Sequence, residues 1–320
     1  MVRIERAGGL YHVLNRGNYR AAIFRDGATK EAFLRCLTEA CEKTGWVVHA
    51  WCLMSNHYHL ALETPQPNLV DGMQWFQATF ATRFNRFRKE GGHLFQGRYK
   101  ALAVERGLAL GSLCHYLHLN PVRAGLCPVD QLADWRWSSH HWLMHPRLRP
   151  PWFTPAAALD DAGALADSPA GRRKYQEYLH WLSAEDLEQK RRGFERMSQG
   201  WALGTREFKL ELLQAEQHQT GVLRSGEAES NEARELLWAA AVARHKAHLG
   251  AQATASPSKS ADWKVAIATV LKAQTTVPNR WLAEHLAMGS LFTVSRLTTE
   301  CRAGRRAGEA YHRLTATSKA

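Results

Sequence analysis

The chain has no C-x-x-C pair: its six cysteines, Cys36, Cys41, Cys52, Cys114, Cys127 and Cys301, are scattered over 320 residues. That spacing argues against a structural zinc site and leaves six free thiols of a reducing compartment. The opening residues MVRIERAGG hold no apolar signal region, and no stretch approaches transmembrane length without polar residues. No internal repeat of fixed period is visible. Acidic residues are in deficit, 30 against 42 Lys and Arg, giving a net charge of +12 and a pI near 9.6. Such an excess points to a polyanionic partner, nucleic acid ahead of an anionic membrane.

The charge is segregated. Residues 1–150 carry 19 basic and 11 acidic side chains, residues 151–260 carry 14 and 15, and residues 261–320 carry 9 and 4. Two basic regions therefore flank a neutral one, and the length suits two or three domains. The expected division is 1–150, a helical region at 151–250, and a last compact unit at 261–302, with linkers near 219–230 and 249–260.

In the first region, alternation and β-formers predict strands at 10–15, 46–54, 57–63 and 98–105. Spacings of three and four predict helices at 28–44, about 68–88 and 108–120, the last stopped by Pro121. On the second helix Leu69, Met73, Phe76, Phe80, Phe84 and Phe87 form one apolar stripe. The order β-α-β-β-α-β-α defines an α+β, ferredoxin-like fold: an antiparallel sheet with helices on one face. Residues 129–153 read as irregular and rich in tryptophan.

Candidate chemistry begins at His57 and His59. Two apart on a strand, they share a face and could chelate a divalent metal; Tyr58 points the other way. Alone, the pair could equally be two half-buried histidines. On the helix at 108–120, Tyr116 and Asn120 lie about 40° apart at the edge of the Leu110/Leu113/Leu117 face. Asn120 could add an oxygen ligand, and two nitrogens with one oxygen suit Mg²⁺ or Mn²⁺ at a phosphoryl-transfer site. A free phenol ionises near pH 10, so a tyrosine nucleophile needs the charge neutralisation such a cation gives the diester. Cys114, His115 and His118 are rival ligands, with a separate Cys114/His118 zinc site as the alternative. Between these parts, RFNRFRKEGGHLFQGRYK (83–100) interleaves Arg83, Arg86, Arg98 and Lys100 with aromatics, as single-strand binding requires. Phe84 and Phe87 read better as core, whereas the 93–98 loop could bring Gln96, Arg98 and Lys100 to the strand end where DNA enters.

SNHYHLALE (55–63), GHLFQGRYKALAVE (92–105), YLHLNPVRAGL (116–126) and WRWSSHHW (135–142) together resemble the REP-associated tyrosine transposases of the HUH superfamily, over about residues 1–145. The resemblance implies a nucleophilic Tyr116, metal ligands His57, His59 and Asn120, and DNA contacts that extend to Arg123. It also implies cleavage and rejoining of single-stranded DNA beside imperfect hairpins through a 5′-phosphotyrosine, in a bacterial, cytoplasmic, nucleoid-associated protein. The chain would act as a monomer, or as a homodimer if the tyrosine helix swaps. The rivals are a non-catalytic DNA-binding protein or repressor on the same scaffold, and a metal-dependent hydrolase in which Tyr116 positions water. The run LAEHLAMGSLFTVSRL (282–297) further resembles a helix-turn-helix capped by Ser290. Thr293, Ser295, Arg296 and Thr299 would then face duplex DNA; an ordinary three-helix bundle is the alternative.

Overall fold

The computed structural model describes residues 5–220, 227–306 and 308–316. They form two compact units, one built on residues up to 212 and the other on residues from 230 onward.

The first unit opens with β1 (Gly9–Arg16), α1 (Gly27–Thr44), β2 (Val47–Leu53), β3 (His57–Thr64), α2 (Leu69–Arg88), β4 (Lys100–Val104) and α3 (Leu108–Arg123). α4 (Ser139–Met144), α5 (Ala156–Asp161), α6 (Pro169–Ala184), α7 (Asp186–Arg191), β5 (Ala202–Leu203) and α8 (Arg206–Thr220) follow. The sheet order is β2-β3-β1-β4-β5. The first four strands pair antiparallel, as the ferredoxin-like pattern requires. β5 adds to β4 in parallel, making the sheet mixed.

Strand alternation sends odd and even residues into different cores. On one face Tyr11, Val13, Tyr58, Leu60 and Leu62 meet Phe33 and Leu37 of α1 and Phe76 and Phe80 of α2. Each such side chain contributes about 1.5–3 kcal/mol on full burial. The expected placement of helices on one face describes these two crossovers. The opposite face, with Leu10, Ala50, Ala61 and Val104, is covered by Leu110, Leu113 and Leu117 of α3, backed by α5 and α6. Both faces are thus dry, and the small Ala50 and Ala61 leave room for α3.

Local chemistry sets the helix ends. Asp26 caps α1 by accepting from Thr29 N at 2.7 Å, and Gly45, at φ 72°, ends it in the left-handed region that suits glycine. Two expectations need correction. α3 does not stop at Asn120; Pro121 lies inside it and the helix runs to Arg123, with Ala124 N donating to Asn120 O at 3.0 Å. Phe87 is not core: it is 72% exposed, one turn beyond the buried part of the α2 stripe, while Phe84 still packs on the core edge.

The tryptophan-rich stretch at 129–153 borders the sheet. Leu53 N donates to Trp137 O at 2.9 Å, Val48 N to Trp152 O at 2.8 Å, and Thr154 N to Val48 O at 3.0 Å. On the far side Ala103 N donates to Trp201 O at 3.0 Å and Glu105 N to Leu203 O at 2.9 Å.

The second unit packs α9 (Glu227–Leu249), α10 (Asp262–Gln274), α11 (Asn279–His285), α12 (Leu291–Arg302) and α13 (Glu309–Ala316) around Trp263, Ile267, Leu271, Leu282, Val294 and Leu297. Of the expected linker at 219–230, residues 221–226 lie outside the described residues, and its flanks belong to α8 and α9. The expected linker at 249–260 is not a tether but is bonded into the unit. Trp263 Nε1 donates to Ser256 O at 3.0 Å and Lys264 Nζ to Pro257 O at 2.9 Å. Ser290 caps α12 by accepting from Thr293 N at 3.2 Å.

Candidate active site

β3 carries His57 and His59 on the α3 side of the sheet, and α3 brings Tyr116 over them. The rings of His57 and His59 lie 5.0 Å apart, and those of His59 and Tyr116 6.0 Å apart. These three side chains line one open cleft of about 790 Å³ with Arg16, Arg20, Asn56, Gln96, Arg98, Lys100 and Ser198.

The 94–98 loop reaches the cleft because it is tied to β1: Gln96 N donates to Arg16 O at 2.9 Å, Asn18 N to Leu94 O at 2.9 Å, and Asn15 Nδ2 to Gly97 O at 3.0 Å. Gly97 sits at φ 148°, a conformation other residues avoid. Gln96 and Arg98 are exposed at the rim and Lys100 is half-buried, its Nζ donating to Ser198 O at 3.1 Å.

Asn120 is one turn beyond Tyr116. It is nearly buried, outside the cleft lining, and its amide nitrogen has no hydrogen-bond partner among the described residues. Arg123, exposed in the same turn, lies over the Tyr116 ring at 5.2 Å and over Phe194 at 5.5 Å, while Phe194 meets Tyr116 at 5.6 Å. The nucleophile candidate is thus sandwiched at its ring and open at its edge. Arg83 and Arg86 are not at the cleft. They stand on α2, which packs on the other face of the sheet, and Arg83 is held in a fork by Glu39 at 2.6 and 2.8 Å. Arg296 belongs to the second unit, exposed on α12 and paired with Glu300 at 3.0 Å.

Burial favours the neutral form of both cleft histidines. Burial pulls the His57 imidazole below its usual range, helped by Arg16, and pulls His59 well below it, helped by its histidine neighbours. Each also has its Nδ1 engaged. His57 Nδ1 lies 2.7 Å from Asn56 Oδ1, and Asn56 is oriented by donating Nδ2 to Arg20 O at 3.2 Å. His59 Nδ1 lies 2.8 Å from His12 Nε2, and His12 Nδ1 2.7 Å from Met197 O. Two imidazoles lining one cleft suit a divalent metal, and the Asn120 amide, one helical turn beyond Tyr116, has no partner at its nitrogen among the described residues.

The rival zinc reading fails. Among the described residues no cluster of three or more His, Cys, Asp or Glu is arranged to hold a metal. Cys114 is fully buried, and His115 and His118 form a hydrogen-bond chain instead. Asp161 accepts from His115 Nε2 at 2.8 Å; Tyr175 Oη bridges His115 Nδ1 at 3.0 Å and His118 Nδ1 at 2.8 Å; His118 Nε2 meets Ser139 Oγ at 2.8 Å. Arg192 completes the buried end, bonding Asp161 at 2.5 Å. With the Ser139 hydroxyl proton directed to His118 Nε2 at 2.8 Å in preference to Trp51 O at 3.2 Å, every link donates toward the Asp161 carboxylate. This hydrogen-bond chain locks α3, and so Tyr116, to α4, α5 and α6. Asp161→Ala leaves the buried His115 Nε2 without an acceptor and takes one of its two carboxylates from Arg192, which keeps Glu188 at 2.9 Å; it is expected to cost about 3–5 kcal/mol, measured as a fall in urea midpoint at unchanged slope.

Sequence reading missed His12, Asn56 and the 194–198 segment. A histidine inside the alternating LYHVLN run was a usable signal for His12. Phe194, Met197 and Ser198 carried none, because a backbone carbonyl or a ring brought in from some 80 residues away has no sequence signature.

Residues 7–120 match the family described as transposase IS200 like. Among solved structures, the chain is similar to a REP-associated tyrosine transposase bound to a REP hairpin, at 16% identity over 48% of this chain and 90% of that one, with a TM-score of 0.39. It is similar to a Deinococcus radiodurans protein described as a transposase, at 20% identity over 42% of this chain and 95% of that one, with a TM-score of 0.28. No curated protein matches it. Among the described residues no helix is long and apolar enough to cross a membrane.

Proposed function

We propose that the first unit cleaves and rejoins single-stranded DNA beside hairpins of the REP type, with Tyr116 as nucleophile. The observation that carries this reading is the single cleft in which His57, His59, Tyr116, Gln96, Arg98 and Lys100 converge. The Tyr116 hydroxyl oxygen bonds to phosphorus, the P–O3′ bond breaks, and the phenol's proton balances the one gained by the released 3′-oxygen. The phosphotyrosine keeps the energy of the broken diester, so a second 3′-hydroxyl can reverse the step onto a new strand. His57, His59 and the Asn120 amide would hold Mg²⁺ or Mn²⁺, which when bound neutralises the diester and favours charge on its equatorial oxygens. Arg98 and Lys100 grip flanking phosphates, and Arg123 holds the tyrosine ring. The Asn120 nitrogen has no partner among the described residues, so turning the amide breaks no hydrogen bond there.

In the second unit α12 exposes Ser295, Arg296 and Thr299, and we read 261–302 as the reader of duplex stem, with catalysis in the first unit.

The test is to incubate the protein with Mn²⁺ and single-stranded hairpin oligonucleotides, then run a denaturing gel. A covalent protein–DNA band supports the reading. Cleavage without a band favours activated water, and binding without either favours a DNA-binding protein. Arg98→Ala is expected to weaken binding across sequences and lower the slope of log K against log salt by about 1, measured by fluorescence anisotropy. An unchanged slope would remove Arg98 from the phosphate path.

A further inference from the structure

We infer that His12 is a positioning residue: with the Met197 carbonyl it fixes His59 as the Nδ1–H tautomer, leaving Nε2 bare toward the cleft. The inference rests on the metal reading of His57 and His59 and adds to it the device that prepares them.

The argument is one of hydrogen-bond direction. A carbonyl only accepts, so the 2.7 Å contact to Met197 O requires the proton on His12 Nδ1. The His12 ring is completely buried, and its nitrogens meet a carbonyl and another imidazole. As a neutral ring it then has only a lone pair at Nε2. The 2.8 Å contact to His59 Nδ1 must therefore be donated by His59. With its proton on Nδ1, His59 keeps an unshared pair on Nε2, which is the form a metal ligand needs. Reversing any link leaves two donors or two acceptors facing each other in a dry site.

His12 is not itself a ligand. Both of its nitrogens are used, and it does not line the cleft. The sheet places it: His12 pairs with Ala61 across the β1–β3 ladder, next to the Leu14–His59 pair and on the same face as His59. The two rings stack at 5.0 Å.

His57 is set the same way from the other side. Asn56 can accept from His57 Nδ1 only with its oxygen turned inward, and donation from Nδ2 to Arg20 O enforces that orientation. The turn supplying that carbonyl holds Tyr19 and Arg20 at φ 50° and 59°, an arrangement costing about 1–3 kcal/mol per residue. Both relays end on main-chain carbonyls, which cannot change protonation. One of them, Met197 O, comes from a segment outside residues 7–120. The later part of the unit is thus built into the cleft's chemistry.

The experiment has two arms, both on the full chain. The first is long-range ¹⁵N–¹H NMR of the metal-free protein labelled at histidine, which reads tautomers directly. His59 and His57 are expected as Nδ1–H, and an Nε2–H form of His59 overturns the inference. The second is Mn²⁺ affinity by calorimetry. His12→Leu is expected to weaken binding about 10–100-fold, and His12→Gln, whose amide can both donate and accept, is expected to recover much of the loss. A folded His12→Leu that binds Mn²⁺ as tightly as the wild type overturns the inference. If that variant fails to fold, the wild-type tautomer decides. If the wild type shows the expected tautomers but binds no Mn²⁺, the relay stands and the metal reading of the proposed function falls.

Discussion

Tyr116→Phe is expected to abolish the covalent protein–DNA band and lower strand cleavage by a factor on the order of 10⁴ or more, the scale on which a lost nucleophile is felt. The substitution removes one oxygen and keeps the ring. The contacts with His59, Phe194 and Arg123 are ring contacts and survive it. Hairpin binding and melting temperature should therefore change little, which separates loss of chemistry from loss of fold. Parallel denaturing gels and anisotropy titrations with Mn²⁺ measure both. Cleavage persisting in the phenylalanine variant would transfer the nucleophile role to water.

The second large effect is on acid stability of the metal-free protein. Burial lowers the His12 and His140 imidazoles from 6.5 to about 4, each opposed by an accepting carbonyl, of Met197 and Leu132 respectively. Burial also lowers His115 and His118. A base with a depressed folded pKa is protonated first in the unfolded chain. Its contribution is therefore intact above pH 6.5 and is lost as pH falls from there toward the folded value. A fall from 6.5 to about 4 corresponds to about 3 kcal/mol for each ring when complete. Between pH 7 and 5, His12 and His140 alone remove roughly 4 kcal/mol, a drop in melting temperature on the order of 10 °C. Calorimetry across that range checks it; a flat profile would mean that these rings are already charged or exposed in the fold. Asp161 acts only at lower pH: despite burial, His115 and Arg192 hold its carboxyl below 3.8, so its contribution disappears as pH falls past that range.

The periodic parts of this fold were readable because their signal is local. The seven-element order followed from strand alternation and helical spacing, and the face shared by His57 and His59 followed from a period of two. The convergence of Gln96, Arg98 and Lys100 on that face could also be expected, since their loop precedes a strand beside β1. What escaped was non-local. Nothing in residues 108–120 says that α3 covers the opposite sheet face from α1 and α2, or that its two histidines spend their nitrogens on Tyr175, Asp161 and Ser139. Helical spacing carried the α2 stripe one turn too far, to Phe87, because periodicity does not record where burial ends. Pro121 was read as a stop, yet tertiary packing of Leu117, Leu119 and Pro121 holds the helix through it.

The short pairings at the two borders of the sheet carry a consequence for how this chain behaves in company. A bare strand border is a row of open donors and acceptors, and it recruits other strands. Here β2 is closed by the backbone around Trp137, Trp152 and Thr154, and β4 by Trp201 and Leu203. All these closing groups lie beyond residue 130. A fragment ending at the family match would keep its four antiparallel strands with both borders unsatisfied, and self-association would be its natural fate. The later residues act as selvedges, and by finishing the weave they keep the sheet from recruiting its own kind.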